Sequence, residues 1–195
     1  MSDFILELRN VQKKFQHIII FDGINLAVNR RETVSICGNS GSGKTTLGNV
    51  AGLIEPPNIG SVIWNGEDMT DEKMSRISKL RPKIFGYIFQ QCNLIPELNV
   101  MENILLPKRI MSQIARQDID FAKTLLKQVN LDGFDLRHIS TLSGGERQRI
   151  AAIRAMINHP PVVVADEPTG SLDEKSADST MDMIIGLCKL HGSAL

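Results

Sequence analysis

Gly38-Asn39-Ser40-Gly41-Ser42-Gly43-Lys44-Thr45 fits the pattern G-x-x-x-x-G-K-[ST], and no other stretch limits the fold of this chain so tightly. A loop of this kind needs a strand feeding it and a helix leaving it. The glycines let the backbone curl until its N–H groups point inward at phosphate oxygens, and the helix adds the positive end of its dipole. Both flanks are present. "TVSIC" (33–37) is a β-branched run, and "TTLGNVAGL" after the loop has helical spacing. Lys44 supplies a mobile cation for the β- and γ-phosphates, and the Thr45 hydroxyl is suited to Mg²⁺, with Thr46 completing the phosphate-binding stretch. The expected class is therefore α/β, of the P-loop NTPase type.

A nucleotide with Mg²⁺ needs an acid downstream. "VVVADE" provides it, because four apolar residues of strand character deliver Asp166 and Glu167 at the strand's C-terminal end. Open α/β sheets place their chemistry at that end. Asp166 is the candidate holder of Mg²⁺ through water, and Glu167 the candidate general base.

The remaining sequence narrows the class. Lys plus Arg and Asp plus Glu both number 22, so net charge gives no support for a nucleic-acid partner. Cys37, Cys92 and Cys188 are scattered without metal spacing, which predicts reduced thiols serving as small core residues. No apolar run approaches the ~18 residues of a membrane span, and "MSDFILELRN" lacks a basic leader. Contact with a membrane is thus expected only through a partner.

"FILEL", "HIIIF", "INLAV" and "SVIWN" predict a small antiparallel sheet, with Asp22-Gly23 and Asn65-Gly66 as turns. "IFGYIF" (84–89) reads as a further strand, and residues 92–145 as a mainly helical insertion. "RQRIAAIRAMIN" and "EKSADSTMDMIIGLCKL" read as helices, the second closed by Lys189, His191 and Gly192. His191 is read as a cation beside the last helical carbonyls.

A second loop, "LSGGERQR" (142–149), looks able to hold phosphate as well. Together with the P-loop, Gln90 in "YIFQQ", Asp166-Glu167 and "SLD" (171–173), it resembles the ATP-binding cassette (ABC) ATPases, and the ordered matches cover essentially the whole chain. The resemblance implies a RecA-like core with an antiparallel β subdomain and a helical subdomain. It also implies ATP and Mg²⁺ as ligands and a head-to-tail homodimer, in which each ATP lies between one P-loop and the other copy's Ser143, Gly144 and Gly145. Gln90 then reaches Mg²⁺, Phe15 in "KKFQ" stacks on adenine, and Asp173 crosses the dimer interface. "NLIPELNVMENI" corresponds to the segment that receives a transmembrane permease subunit, which puts the chain at the cytoplasmic face of the cell membrane as a peripheral subunit.

Fewer than a hundred residues separate Lys44 from Ser143, with no sustained heptads, which excludes the coiled-coil chromosome and repair members. "IFQQCNLIPELNVMENI" with "ADEPTGSLD" resembles the group of lipoprotein-releasing, macrolide-export, peptide-resistance and cell-division ATPases; the motifs leave these four open. One part expected from the family, a strand ending in a switch histidine, would follow "HGSAL", so the resemblance implies a single domain over 1–195 cut before that strand. A non-hydrolysing ATP-binding module is the alternative function. Gly48 and Asn49 inside the P-loop helix are expected to weaken it.

Overall fold

A computed structural model describes residues 4–195. Strands β1 (Phe4–Phe15) and β2 (Ile18–Asn29) form a long antiparallel hairpin. With β3 (Ile59–Trp64) and β4 (Glu67–Asp68) they make a sheet of order β2-β1-β3-β4. "HIIIF" and "INLAV" are one strand and not two. The Asp22-Gly23 pair makes no turn, because Gly23 (φ 67°) is absorbed by irregular register between Leu8↔Leu26 and Lys13↔Phe21. There the Asn25 side chain accepts from the Asn10 N–H at 2.9 Å, doing the work of a missing ladder bond. The chain reverses instead at Gln16 and His17, and Gln16 takes the left-handed conformation (φ 53°).

Helix α1 (Lys44–Ala51) leaves the P-loop and buries Leu47, Val50 and Ala51 against the sheet. Its sequence has little amphipathic excess, so packing rather than propensity holds it. Gly48 faces β6, yet a β-carbon added there would stand 3.6 Å from Val164 Cγ1, an ordinary contact. Gly48→Ala is accordingly expected to stabilise the protein by up to ~1 kcal/mol in urea denaturation, the helical preference of alanine over glycine. Asn49 donates to Glu55 Oε1 at 3.0 Å, so the residue expected to weaken the helix also ties its far end to the following loop.

Helix α2 (Met74–Ile84), with Pro82 in its last turn, sets Met74, Ile77, Leu80 and Ile84 at helical spacing and was not among the expected elements. Strand β5 (Phe85–Phe89) follows and pairs in parallel with β6 (Val162–Asp166) in the register Phe85↔Val162 to Phe89↔Asp166. Between them in sequence lie α3 (Val100–Met111), α4 (Arg116–Gln128), a 3₁₀ turn (Ile139–Thr141) and α5 (Gly144–Met156). Helix α6 (Glu174–His191) ends at Gly192 in the left-handed conformation, as its C-terminal signals predict. One apolar cluster joins α3, α4, α5 and α6 to β6, and a second joins the antiparallel sheet to α1 and the start of β5.

Three expectations fail for physical reasons. "TVSIC" is extended but is not a strand: its ladder is confined to Val34 N–H to the Leu195 carbonyl and Leu195 N–H to the Glu32 carbonyl, each 2.8 Å. Ala194 in turn pairs with β6 around Val162. Residues 35–37 have no neighbouring strand among the described residues. The cysteines do not all serve as core: Cys188 is buried, Cys92 half-buried and Cys37 exposed. His191, in the last turn of α6, has surroundings that work against the expected positive charge. It meets Phe121 edge-on (5.6 Å between centroids) with its Nε2 3.3 Å from Gln128 Oε1, and burial, helped by nearby His159, pushes its pKa down towards the neutral form.

Candidate nucleotide site

The P-loop closes against the hairpin. A β-carbon at Gly43 (φ 89°) would stand 2.5 Å from Ile20 Cγ2, so both the backbone turn and the approach of β2 require glycine there. Lys44 opens α1, and its ammonium lies 3.0 Å from the carbonyls of Gly38 and Asn39, filling the loop it is meant to arm. The same ammonium is 4.0 Å from the Glu167 carboxylate. One residue on, the Thr45 hydroxyl donates to Asp166 Oδ1 at 3.0 Å. Lys44, Thr45, Asp166 and Glu167 therefore converge, although more than a hundred residues separate the two pairs in sequence.

The parallel register of β5 and β6 brings in a fifth group. Phe89 is opposite Asp166, so Gln90 and Glu167 leave the sheet side by side. Gln90 is exposed, and its amide nitrogen packs over Gly170, where a β-carbon would come within 3.0 Å. Glu167 itself takes a left-handed backbone (φ 44°), unusual for a residue with a β-carbon. Such strain, of order 1–2 kcal/mol, collects at positions where chemistry dictates the residue.

The second loop is part of a helix. Ser143 is the N-cap of α5, and Gly144 and Gly145 form its first turn, so the helix begins two residues before Glu146. Ser143 Oγ donates to Glu146 Oε2 (2.8 Å), and the Ser143 N–H donates to the same oxygen (2.7 Å). These bonds, led by the one from the backbone N–H, hold the Glu146 carboxyl below the usual glutamate range. Ser143 and Gly144 are exposed, and none of the hydrogen bonds among the described residues joins Ser143–Gly145 to residues 38–45. The Leu172 side chain would touch a β-carbon on Gly144 at 3.7 Å, which sets the "SLD" turn beside the helix start. Asp173 caps α6 by accepting from the Ser176 N–H at 3.0 Å.

Phe15 ends β1, paired with Ile18 and 48% exposed, with the Lys13 ammonium 5.2 Å from its ring centre. Lys13 itself is nearly buried, 3.1 Å from the Glu55 carboxylate, with its ammonium donating to the Pro56 carbonyl at 2.8 Å. This support for the hairpin tip was missed in the sequence, where "KK" reads as a solvated pair. Gly170 and Leu172 were missed too, since their service to Gln90 and Gly144 is a matter of approach and not of residue type.

A P-loop helix facing a strand-end Asp-Glu pair is the arrangement of a nucleotide-binding cassette. The family model for ABC transporters matches residues 21–170, and the chain belongs to that family. Similar curated proteins are the lipoprotein-releasing system ATP-binding proteins LolD of Shewanella frigidimarina and of Porphyromonas gingivalis. The first is 39% identical over 97% of this chain and 81% of its own length. The second is 36% identical over 96% of this chain and 86% of its own. Among solved structures, the dimeric post-hydrolysis state of the ATP-binding cassette MJ0796, bound to ADP and Pi, superposes with a TM-score of 0.85. It is 34% identical and is matched over 97% of this chain and 85% of that one. The chain is thus an ATP-binding, ATPase-type cassette of an ABC transporter-like system. No helix among the described residues is long and apolar enough to cross a membrane.

Proposed function

We propose that this chain hydrolyses Mg²⁺-ATP between two copies of itself and drives a transmembrane permease of the lipoprotein-releasing type from the cytoplasmic face of the membrane. The observation that carries the reading is the convergence of Lys44, Thr45, Asp166 and Glu167, with Gln90 set beside them by the β5–β6 register. The donor set fits Mg²⁺: Thr45, Asp166 and Gln90 would offer a hydroxyl, a carboxylate and an amide carbonyl, all hard oxygen ligands. When bound, that ion neutralises charge on the β- and γ-phosphate oxygens.

The chain's own groups divide the remaining work. Residues 38–46 wrap the phosphates with backbone N–H groups and the hydroxyls of Ser40, Ser42, Thr45 and Thr46. Lys44 exchanges its two carbonyl contacts for phosphate oxygens, which also frees it from the loop. Glu167 accepts the proton of the attacking water as the water's oxygen bonds to the γ-phosphorus and the bond from that phosphorus to the β,γ-bridging oxygen breaks, with ADP as the leaving group. Asp166 and Gln90 orient the metal side, and Phe15 offers its exposed face to the adenine. Ser143, Gly144 and Gly145 serve the other copy's γ-phosphate with the positive end of α5, and Asp173 lies at the two-fold interface. The lipoprotein-releasing assignment follows the names of the similar curated proteins.

Mixing two defective chains tests the shared site. Lys44→Ala removes the P-loop cation and leaves Ser143 intact; Ser143→Arg blocks the helix start and leaves the P-loop intact. Each alone is expected to be inactive. Together they are expected to recover about a quarter of the parent turnover, the share of competent sites in randomly mixed two-fold dimers. Parent-like turnover by Ser143→Arg alone would mean that each copy works by itself.

A further inference from the structure

Between β5 and α3 the chain runs from Gln90 to Asn99 outside helix and strand, yet its backbone is held at both ends by side chains. From α3, the fully buried Asn103 accepts from the Ile95 N–H at 2.7 Å and donates to the carbonyls of Ile95, Leu98 and Asn99. From α5, the fully buried Gln148 donates to the Phe89 carbonyl at 3.1 Å, and its Oε1 accepts the Cys92 thiol at 2.8 Å. Arg154, farther along α5, donates Nη1 to the Asn93 carbonyl and Nη2 to the Cys92 carbonyl, both at 2.6 Å. Four bonds from one helix thus grip residues 89–93 on either side of Gln90.

Packing alone does not explain this grip. Gln148 sits among apolar neighbours on α5, where an aliphatic side chain would fill the space without needing partners. A buried amide and a half-buried guanidinium are tolerated only while their bonds are made, so the contacts hold to a narrow geometry. The helix that makes them is the one capped by Ser143. Gln148 lies little more than one turn from that cap and Arg154 about three, so a tilt of α5 at its start carries both side chains with it.

We infer that Gln148 and Arg154 are positioning residues that tie the seating of α5 on the partner copy's nucleotide to the placement of Gln90 in the chain's own site. The inference rests on the two-copy arrangement proposed above. The coupling acts on where Gln90 stands, so it is read in kcat and in the surroundings of Cys92 and not in ATP affinity.

Cys92 reports on the clamp directly, because its thiol is one of the clamped groups. With Cys37→Ser to silence the exposed thiol and Glu167→Gln to slow turnover, Cys92 is labelled with a maleimide with and without Mg²⁺-ATP. ATP is expected to change the labelling rate about fivefold or more, within the usual range of coupled sites. Arg154→Met is expected to abolish that change while leaving the Kd for ATP within about twofold. In the background with Glu167 restored, its kcat is expected to fall roughly 10- to 100-fold, the cost of a misplaced catalytic neighbour. Arg154→Lys, which retains one carbonyl contact, should fall between. If Arg154→Met loses its circular dichroism signal, Arg154→Lys and Gln148→Glu carry the comparison. An ATP-dependent Cys92 rate that survives in the variants overturns the coupling, as does a Kd that worsens in step with kcat. If the parent assembles into two-copy particles with ATP but its Cys92 rate does not change, the coupling alone fails. If the parent does not assemble, the proposed arrangement fails and the coupling with it.

Discussion

Glu167→Gln is expected to bind ATP within about twofold of the parent and to turn it over roughly 10²–10⁴ times more slowly, the range for losing a positioned general base. The glutamine keeps the shape and the left-handed backbone of position 167, so the phosphate-binding groups stay in place. What goes is the proton acceptor and the negative charge 4.0 Å from the Lys44 ammonium. Losing that charge removes a competitor for Lys44, so binding should tighten if it moves at all. Equilibrium binding of a fluorescent ATP analogue beside steady-state phosphate release separates the two effects. A drop in turnover of less than tenfold would mean that another group takes the proton.

The largest effect on stability is expected at Gly86, which does no chemistry. Helix α5 crosses β5 so closely that an added β-carbon would stand 2.3 Å from the Ala155 carbonyl oxygen and 3.0 Å from its carbon. The obstacle is backbone, which has no rotamer to yield, so β5 or α5 must shift. Gly86→Ala is expected to destabilise the protein by about 2–3 kcal/mol, the upper part of the range for overpacking a core. The strand ends at Phe89, just before Gln90, and the helix grips residues 89–93, so turnover in the folded fraction should fall too. Urea denaturation with parent-like slope and a lower midpoint is the signature; an unchanged midpoint would refute the close approach.

Chemistry was more legible in the sequence than architecture was. Lys44, Thr45, Asp166 and Glu167 announce themselves because each motif is local and its residue types are dictated by phosphate and metal. The structure then adds what local pattern does not carry. Asp22-Gly23 has the composition of a turn, but the hairpin absorbs it as a bulge, since whether a glycine turns or bulges depends on the strand opposite. "TVSIC" has strand composition but pairs only with Leu195 among the described residues, because pairing is a property of two segments. Gln148 stands between Arg147 and Arg149 and gives no sign in the sequence that it is buried against the Gln90 segment. His191 reads from sequence as a helix-end cation, whereas its burial and the nearby His159, both products of packing, work against that charge.

The bonds from residue 195 to the segment before the P-loop carry a consequence for the order in which the protein is made. Val34 and Glu32 are fixed by Leu195, and Ala194 fixes the same short stretch to β6. A ribosome releases residues 32–45 long before residue 194 exists, so the phosphate loop leaves the exit tunnel without its backing. Helix α1 and the hairpin can collapse early through their own apolar contacts. The strand-like support of the loop cannot, since it waits on contacts between residues 32–34 and residues 194–195, far apart in sequence. A nascent chain that has not yet brought residues 194 and 195 against residues 32–34 should therefore hold ATP poorly even with its whole P-loop exposed.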